Sequence, residues 1–506
     1  MGFYDQMKSE LNKEKTLTTN GAVAYATSGK ELLDFNFGVS AMRNMKPEEI
    51  EKLFAKVFYE DKLTALEYLF YLGDVREGLG ERKAFRSALQ FLIESQPKIA
   101  EAVIELIPYY NRWDSILPML DDEDTKSAAI ALIKRQLKED KKNMKAGEPV
   151  SLCAKWMPSI NASNWKRTEW ARLICKETGW SNEKYRQKLS KLRKYIDVVE
   201  RKMAANEWDK INYETVPSKA NLNYNSAFLR HDEERRREYL ASLAKGEAKI
   251  NATTLNPHEI CAKYFRKRSY VTSWRINPDE TLEALWKALP DLQVENTLVV
   301  RDGSGSMTWS GLAGNCTPLD VATALAIYMA EHNTGEWKDK FITFSSKPKI
   351  VDLANCGNLA EKVSLTLAEN DCSNTDIYKT MKLILDTAVN NEIPAEDMPK
   401  MVVICSDMQF DGRGHNLNKS LFEEIKEEFE AAGYQLPRIC FWNLSGRLNG
   451  TIPMQQNDLG LVLCSGFSVQ ILRMFMSNQV DPYKLLLETL NSKRYDKVRE
   501  AVRNFV

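Results

Sequence analysis

The sequence predicts an α-helical repeat region followed by a doubly wound α/β domain. Before residue 290, apolar residues recur at three- and four-residue spacing, as in EEIEKLFAKVFYED, which is typical of amphipathic helices. After residue 291, short β-branched runs such as VENTLVV and KMVVICSD alternate with helical stretches such as TPLDVATALAIYMAEHN. Strands that alternate with helices in this way predict a largely parallel sheet covered by helices.

Three segments follow from this change of pattern. Residues 1–290 are predicted to be the helical-repeat domain, in which short breaks separate helices of similar length, as in an α-solenoid. Residues 291–478 are predicted to be the α/β domain, with KPKIVDL as an edge strand. Residues 479–506 are predicted to be a helical segment that packs on the helical domain. A helix is also expected to begin near Ser226 and to stop at Gly246.

Composition points to a soluble intracellular protein. The 506 residues carry no apolar run of about 20 residues, the length that a membrane helix needs, and the first residues lack the apolar core of a secretory signal. The nine cysteines are scattered without any CxxC pair, which favours a reducing compartment and disfavours a zinc site. We therefore expect a cytoplasmic location and no membrane partner.

Charge is unevenly distributed although the net charge is zero. Residues 141–294 hold 30 basic and 19 acidic residues, a net of +11, whereas residues 1–140 carry about −5 and residues 295–506 about −6. A basic middle segment between two acidic ends indicates a polyanionic partner.

The sequence DGSGS, at the end of the first α/β strand, is a candidate metal site. Open α/β sheets bind ligands beyond the carboxyl ends of their strands, and Asp302, Ser304 and Ser306 supply oxygen ligands there. Gly303 and Gly305 permit a tight turn, so the three alternating side chains can converge. The spacing therefore predicts a hard divalent cation: Mg²⁺, Mn²⁺ or Ca²⁺.

Two later positions give this motif a family context. Thr375 precedes a helix in SNTDIYKT, and Asp407 ends the strand VVICSD. This order and spacing resemble the von Willebrand factor A family, in which five such residues form a metal-ion-dependent adhesion site. The resemblance implies that Asp302, Ser304, Ser306, Thr375 and Asp407 surround one cation. It also implies an open coordination position that an acidic group of a partner fills. The alternative is a degenerate domain in which these side chains only cap helices.

No catalytic motif is present. The chain contains neither GxGxxG nor GxxxxGKT, and GSGSM lacks the spacing of a nucleophile elbow. We therefore expect a protein that is not an enzyme.

The helical region carries a second resemblance. GDVREGLGERKAFRSAL and IPYYNRWDSIL resemble the TROVE module, the HEAT-like helical-repeat ring of the Ro ribonucleoprotein autoantigen, although Asn111 replaces the usual glycine. LCAKWMPS and AFLRHDEERRREYL are similar to an uncharacterised bacterial and phage TROVE-like family. The resemblance implies a monomeric ring, closed by the C-terminal segment. It also implies binding of small structured non-coding RNA or of single-stranded 3′ ends, as in RNA quality control.

If RNA binds, the basic middle segment is where contacts are expected, because Lys and Arg neutralise phosphates. The candidates are Lys155, Lys166, Arg167, Arg172, Arg230, His231, Lys263, Arg266, Lys267 and Arg268. Arg235 to Arg237 are interpreted as a solvated helix face with i,i+4 pairs, and Trp113 and Trp156 as core residues.

Two other functions fit the sequence. A metal-dependent adhesion or adaptor protein without RNA fits the cation motif equally well. A virion or conjugation component is the third alternative.

Overall fold

The computed structural model describes residues 15–20, 23–265, 276–309, 316–344, 348–369, 376–410, 421–447, 452–453 and 460–506. The chain divides into two compact units. One combines Met1–Glu60 with Ala252–Leu490, and the other combines Asp61–Asn251 with Asn491–Val506. The first contains the large sheet and is named the α/β unit here. The second is named the helical unit.

Helices account for most of the ordered elements. In chain order they are α1 (Glu31–Phe37), α2 (Val39–Met42), α3 (Pro47–Glu60), α4 (Lys62–Gly73), α5 (Arg82–Ser95), α6 (Pro97–Ala102), α7 (Ile107–Tyr110), α8 (Lys126–Ala146), α9 (Cys153–Trp156), α10 (Trp165–Thr178), α11 (Asn182–Tyr195), α12 (Val199–Ala204), α13 (Ser218–His231), α14 (Glu233–Lys245), α15 (Pro257–Phe265), α16 (Glu280–Lys287), α17 (Ser306–Trp309), α18 (Pro318–Glu331), α19 (Leu359–Ala368), α20 (Ile377–Asn390), α21 (Leu421–Ala431), α22 (Pro482–Leu490) and α23 (Asp496–Val502).

The strands form a small hairpin and one mixed sheet. They are β1 (Lys15–Leu17), β2 (Val23–Tyr25), β3 (Thr297–Asp302), β4 (Lys340–Phe344), β5 (Ile350–Asp352), β6 (Met401–Ser406), β7 (Arg438–Asn443) and β8 (Leu461–Ser465). The six-stranded sheet has the order β5-β4-β3-β6-β7-β8. All neighbours are parallel except β4 and β5, so the predicted edge strand is confirmed as an antiparallel edge.

Local sequence explains the long helix of the α/β unit. α18 starts with a capping box in which Thr317 and Asp320 satisfy each other's backbone amides, and Pro318 occupies the first turn. Its residues 318–330 are all buried, and it packs against β3, β4 and β6. An apolar helix of this kind covers the central strands of the sheet.

The compact units divide the chain at different points from the predicted domains. The first 60 residues look helical in sequence, yet they join the α/β unit, where α1 packs against β8. The Asn36 amide donates to the Leu463 carbonyl at 3.3 Å, and the Ser40 amide donates to the Ser465 hydroxyl at 3.0 Å. Contacts that span more than 400 positions leave no local pattern in the sequence.

The predicted helix near Ser226 needs correction. α13 begins at Ser218, directly after Pro217, and ends at His231 before a break at Asp232. The predicted stop at Gly246 is confirmed, because this residue has φ +77° at the end of α14.

The last residues complete the helical unit. α23 packs against α4, where the Arg499 guanidinium donates to the buried Glu67. Arg494 pairs with the fully buried Asp74. Among the described residues, none of the helices combines the length and apolar character needed to cross a bilayer.

Candidate metal centre and nucleic-acid interface

Asp302 is the last residue of the central strand β3 and is fully buried. Its Oδ1 accepts the Ser304 amide at 2.8 Å, which folds the turn that follows the strand. The same turn brings the Ser304 and Ser306 hydroxyl oxygens to 3.0 Å from each other. The predicted convergence of Asp302, Ser304 and Ser306 is therefore present in the structure.

Asp407 follows β6, the strand that pairs with β3 in parallel register. Its side chain is buried and hydrogen-bonded to Ser306. The pKa of Asp302 is raised to about 7, mainly by burial and to a smaller extent by the negative charge of Asp407. Burial also raises the pKa of Asp407, against the lowering effect of the Ser306 hydrogen bond. Two carboxyl groups at the carboxyl ends of the neighbouring strands β3 and β6 therefore oppose each other's ionisation.

The residues Asp302, Ser304, Ser306 and Asp407 suit a hard divalent cation. Two buried carboxylates and two hydroxyls are oxygen donors, and a cation between the carboxylates would relieve their repulsion. Thr375, the fifth predicted ligand, lies outside the described residues. Within the described residues, no cluster of three or more His, Cys, Asp or Glu side chains forms an alternative metal site. Any cation here therefore depends on the serine oxygens as well as the carboxylates.

Sequence reasoning missed Ser406. Its hydroxyl donates to Asp302 Oδ2 at 2.6 Å and accepts the Met408 amide at 3.1 Å. Met408 has φ +63°, so the chain turns sharply after Asp407. The available signal was the serine before Asp407, because parallel pairing of β3 and β6 sets that position beside Asp302.

The helical unit contains a groove of about 930 Å³ between α9, α10, α11, α12 and α13. Its lining includes one acidic side chain, Glu200, and three aromatic ones, Trp156, Tyr185 and Tyr224. The basic side chains that line it are Lys155, Arg167, Arg186, Arg193, Arg201 and Lys219. Among the described residues that line the groove, six are therefore basic and one is acidic.

Among the predicted RNA contacts that the structure describes, the groove brings together two, Lys155 and Arg167. Lys166 pairs with Asp121 at 2.7 Å, Arg172 and Arg230 are exposed, and the His231 ring stacks on Trp208 at 4.4 Å. Lys263 belongs to the α/β unit, and Arg266, Lys267 and Arg268 lie outside the described residues. The groove residues that the sequence did not single out are Arg186, Arg193, Arg201 and Lys219.

Arginine side chains hold one wall of the groove in place. Arg193 donates to the Ala154 and Met157 carbonyls, both at 2.8 Å, and to the Ser159 hydroxyl at 3.0 Å. Arg167 donates to the Trp156 carbonyl at 3.0 Å. The segment that carries Lys155 and Trp156 is thus fixed before any ligand binds.

The turn at residues 111–114, with the sequence NRWD, supports the same wall of the groove. The Arg112 guanidinium lies 3.7 Å from the centre of the Trp156 ring and pairs with the buried Asp114. Arg86 lies 3.0 Å from Asp114 as well. Burial alone would raise the pKa of Asp114, but Arg112 and Arg86 lower it. Trp113 is buried as expected, whereas Trp156 is only partly buried and lines the groove.

The interpretation of Arg235 to Arg237 as a solvated face is wrong for Arg236. Arg237 is exposed and pairs with Glu233 at i,i+4, as expected. Arg236 is fully buried, lies 4.9 Å from the Tyr213 ring centre, and donates to Asn221 at 3.1 Å. Cation–π contacts and side-chain carbonyls offset the cost of burying its charge.

The protein thus combines a helical region that contains a basic groove with a mixed sheet. An oxygen-rich turn follows the central strand of that sheet. The chain matches two families, each described as a domain of unknown function. DUF2828 covers residues 18–108 and 176–293, and DUF7788 covers residues 296–503. An uncharacterized protein of Acanthamoeba polyphaga mimivirus, L728, is 29% identical in an alignment of 517 positions that covers 94% of this chain and 87% of L728.

The chain is also similar to a solved structure. The crystal structure of the Deinococcus radiodurans Ro (RSR) protein aligns with 89% of this chain and 92% of its own, at 11% identity and a TM-score of 0.36. A score of this size does not establish a shared fold. Neither matched family is the TROVE family, so the Ro resemblance rests on the sequence motifs.

Proposed function

We propose that this chain is a non-enzymatic RNA-binding protein, whose helical unit binds RNA and whose α/β unit holds a divalent cation. The basic groove is the observation that supports RNA binding most directly. Among its basic residues, the Arg186 and Arg201 side chains are exposed and form no hydrogen bond or ion pair with the described residues. They are therefore available to phosphates, while Trp156 and Tyr224 offer rings to unpaired bases.

Charge reversal in the groove tests the RNA function. In the full-length protein, Arg186→Glu with Arg201→Glu should weaken binding of a labelled RNA hairpin with an unpaired 3′ tail by at least about tenfold. The slope of log affinity against log salt should fall by about two, because two phosphate contacts are lost. Fluorescence anisotropy across a salt series measures both quantities.

Lys98→Glu with Arg503→Glu is the matched control, since it makes the same charge change at two exposed positions of the helical unit outside the groove. Equal weakening by both pairs would mean that only net charge matters. An unchanged affinity in the groove variant would exclude the groove as the RNA site.

The cation site supports a second activity, metal-dependent capture of an acidic group on a protein partner. The supporting observation is the pair of buried carboxyl groups beside two serine hydroxyls. Once bound, a divalent cation supplies a Lewis-acidic position that a partner's carboxylate can occupy. The chain's own residues supply the anchoring oxygens, through the turn that Asp302 and Ser304 fold. This activity alone, without RNA, would make the protein an adaptor.

The pH dependence of stability tests the paired carboxyl groups. The folded-state pKa of Asp302 is about 7, above its ordinary value of 3.8. Between these values the unfolded chain binds fewer protons, so stability without cation should fall as pH rises through this window. A divalent cation competes with those protons. Its stabilising effect should therefore be larger at about pH 8 than at about pH 5.5.

Melting curves with and without Mn²⁺ at the two pH values measure this effect. A cation-induced shift in Tm that is equal at both values would contradict the assignment of Asp302 and Asp407 as ligands.

A further inference from the structure

The N-terminal residues of the α/β unit contact the loop that carries Asp407. The Thr18 hydroxyl donates to the Phe410 carbonyl at 2.7 Å, and the Asn20 side-chain amide donates to the Gln409 carbonyl at 2.8 Å. The Thr19 amide donates to Gln409 Oε1, also at 2.8 Å. Three consecutive residues thus bind two residues that lie about 390 positions away in the chain.

Gln409 links this contact to the cation site. Its own amide donates to Asp407 Oδ1 at 3.3 Å, while its side chain is buried and accepts from Thr19. Asp407 in turn is hydrogen-bonded to Ser306. A continuous chain of hydrogen bonds therefore runs from Thr19 through Gln409 to the ligand set.

The same N-terminal segment is anchored a second time beside the sheet. Tyr25, at the end of β2, exchanges two backbone hydrogen bonds of 2.8 Å with Ile452, which follows β7. The N-terminal segment is therefore attached at two places, to residues 409–410 after β6 and to Ile452 after β7. These two strands are parallel neighbours in the sheet. The carboxyl ends of these strands lie at one edge of the sheet, the edge that also carries Asp302.

We infer that Thr18–Asn20 is a positioning element of the cation site, an inference that rests on the proposed cation-binding function. Docking of these residues fixes the loop 407–410 and so presents the Asp407 carboxylate to the ion. Groups that orient metal ligands in this way affect affinity without touching the metal. Thermodynamic linkage requires the reverse effect as well: the bound ion must hold the N-terminal segment in place.

The experiment measures Mn²⁺ affinity and N-terminal protection in the full-length protein. Thr18→Val with Asn20→Ala removes two of the three hydrogen bonds. We expect Mn²⁺ to bind about 10- to 100-fold more weakly, with the stoichiometry of one ion unchanged. Thr18→Ser with native Asn20 keeps both donors and should retain the native affinity. Thr16→Val makes the same chemical change within β1 and serves as the matched control.

Amide hydrogen exchange provides the reciprocal readout. In the unsubstituted protein, Mn²⁺ should slow exchange across residues 15–25, and the double variant should lose this effect. A role confined to folding would not make exchange at these amides depend on Mn²⁺. If Thr18→Val destabilises the fold, Asn20→Ala alone serves as the test, because Asn20 is exposed.

The outcomes separate the two proposals. If the unsubstituted protein binds Mn²⁺ but the variants bind it equally well, the inference is overturned and the cation site stands. Weaker binding without Mn²⁺-dependent protection also overturns it, since linkage demands both effects. If the unsubstituted protein binds no Mn²⁺, the cation function itself fails and the inference fails with it.

Discussion

Replacing Asp302 by asparagine should abolish divalent-cation binding. The amide oxygen can still accept the Ser304 amide, so the turn is preserved, but the site loses the negative charge at its centre. The loss should exceed the roughly 10- to 100-fold effect of residues that only orient ligands. At about pH 8, the variant without cation should melt at a higher temperature than the native protein, because one of two opposed buried carboxylates is gone.

Calorimetric titration with Mn²⁺ and Mg²⁺, together with melting curves, measures both effects. Asp397→Asn is the matched control, as Asp397 is exposed in the same unit and lies outside the candidate site. A Mn²⁺-induced shift in Tm that survives Asp302→Asn would place the ion elsewhere.

Replacing Arg494 by methionine should destabilise the helical unit by about 3–5 kcal/mol, because it leaves a buried carboxylate without its positively charged partner. Arg494 binds Asp74 through both of its oxygens, Nε to Oδ2 at 2.7 Å and Nη2 to Oδ1 at 3.0 Å. Asp74 is fully buried, and the Tyr110 hydroxyl donates to the Arg494 carbonyl at 2.6 Å. This pair therefore ties the C-terminal residues to the end of α4.

Urea unfolding measures the loss, and hydrogen exchange across residues 491–506 locates it. The double variant Arg494→Met with Asp74→Asn should recover most of the stability, since it removes both charges. Lys493→Met changes the exposed neighbouring residue and should cost less than about 0.5 kcal/mol. A loss of less than about 1 kcal/mol for Arg494→Met would show that Asp74 is solvated or paired in another way.

The sequence allowed the strands of the six-stranded sheet and most of the candidate cation site to be predicted, but not the hairpin of β1 and β2. β-branched runs marked β3 and β6, and the residues at their ends marked Asp302 and Asp407, because a parallel sheet brings its strand ends to one edge. Strand order has no local signal, so the pairing that sets Ser406 beside Asp302 became visible only in the structure.

Features formed by distant residues escaped prediction for the same reason. The N-terminal helices follow a helical pattern wherever they pack, and their contacts with β7 and β8 join positions more than 400 residues apart. Arg236 sits in a run of charges whose pattern favours solvent exposure. Its burial depends on contacts with residues of other elements, among them the Tyr213 and Phe228 rings and the Asn221 side chain.

The interleaving of the two compact units has a consequence for synthesis on the ribosome. Residues 61–251 interrupt the α/β unit, and their own unit is completed only by residues 491–506. Because the chain emerges from its N-terminus, the first strands and helices must wait for partners made hundreds of residues later. The helical unit stays incomplete until residues 491–506 are made. A nascent chain stalled before residue 490 would therefore expose apolar surface from both units.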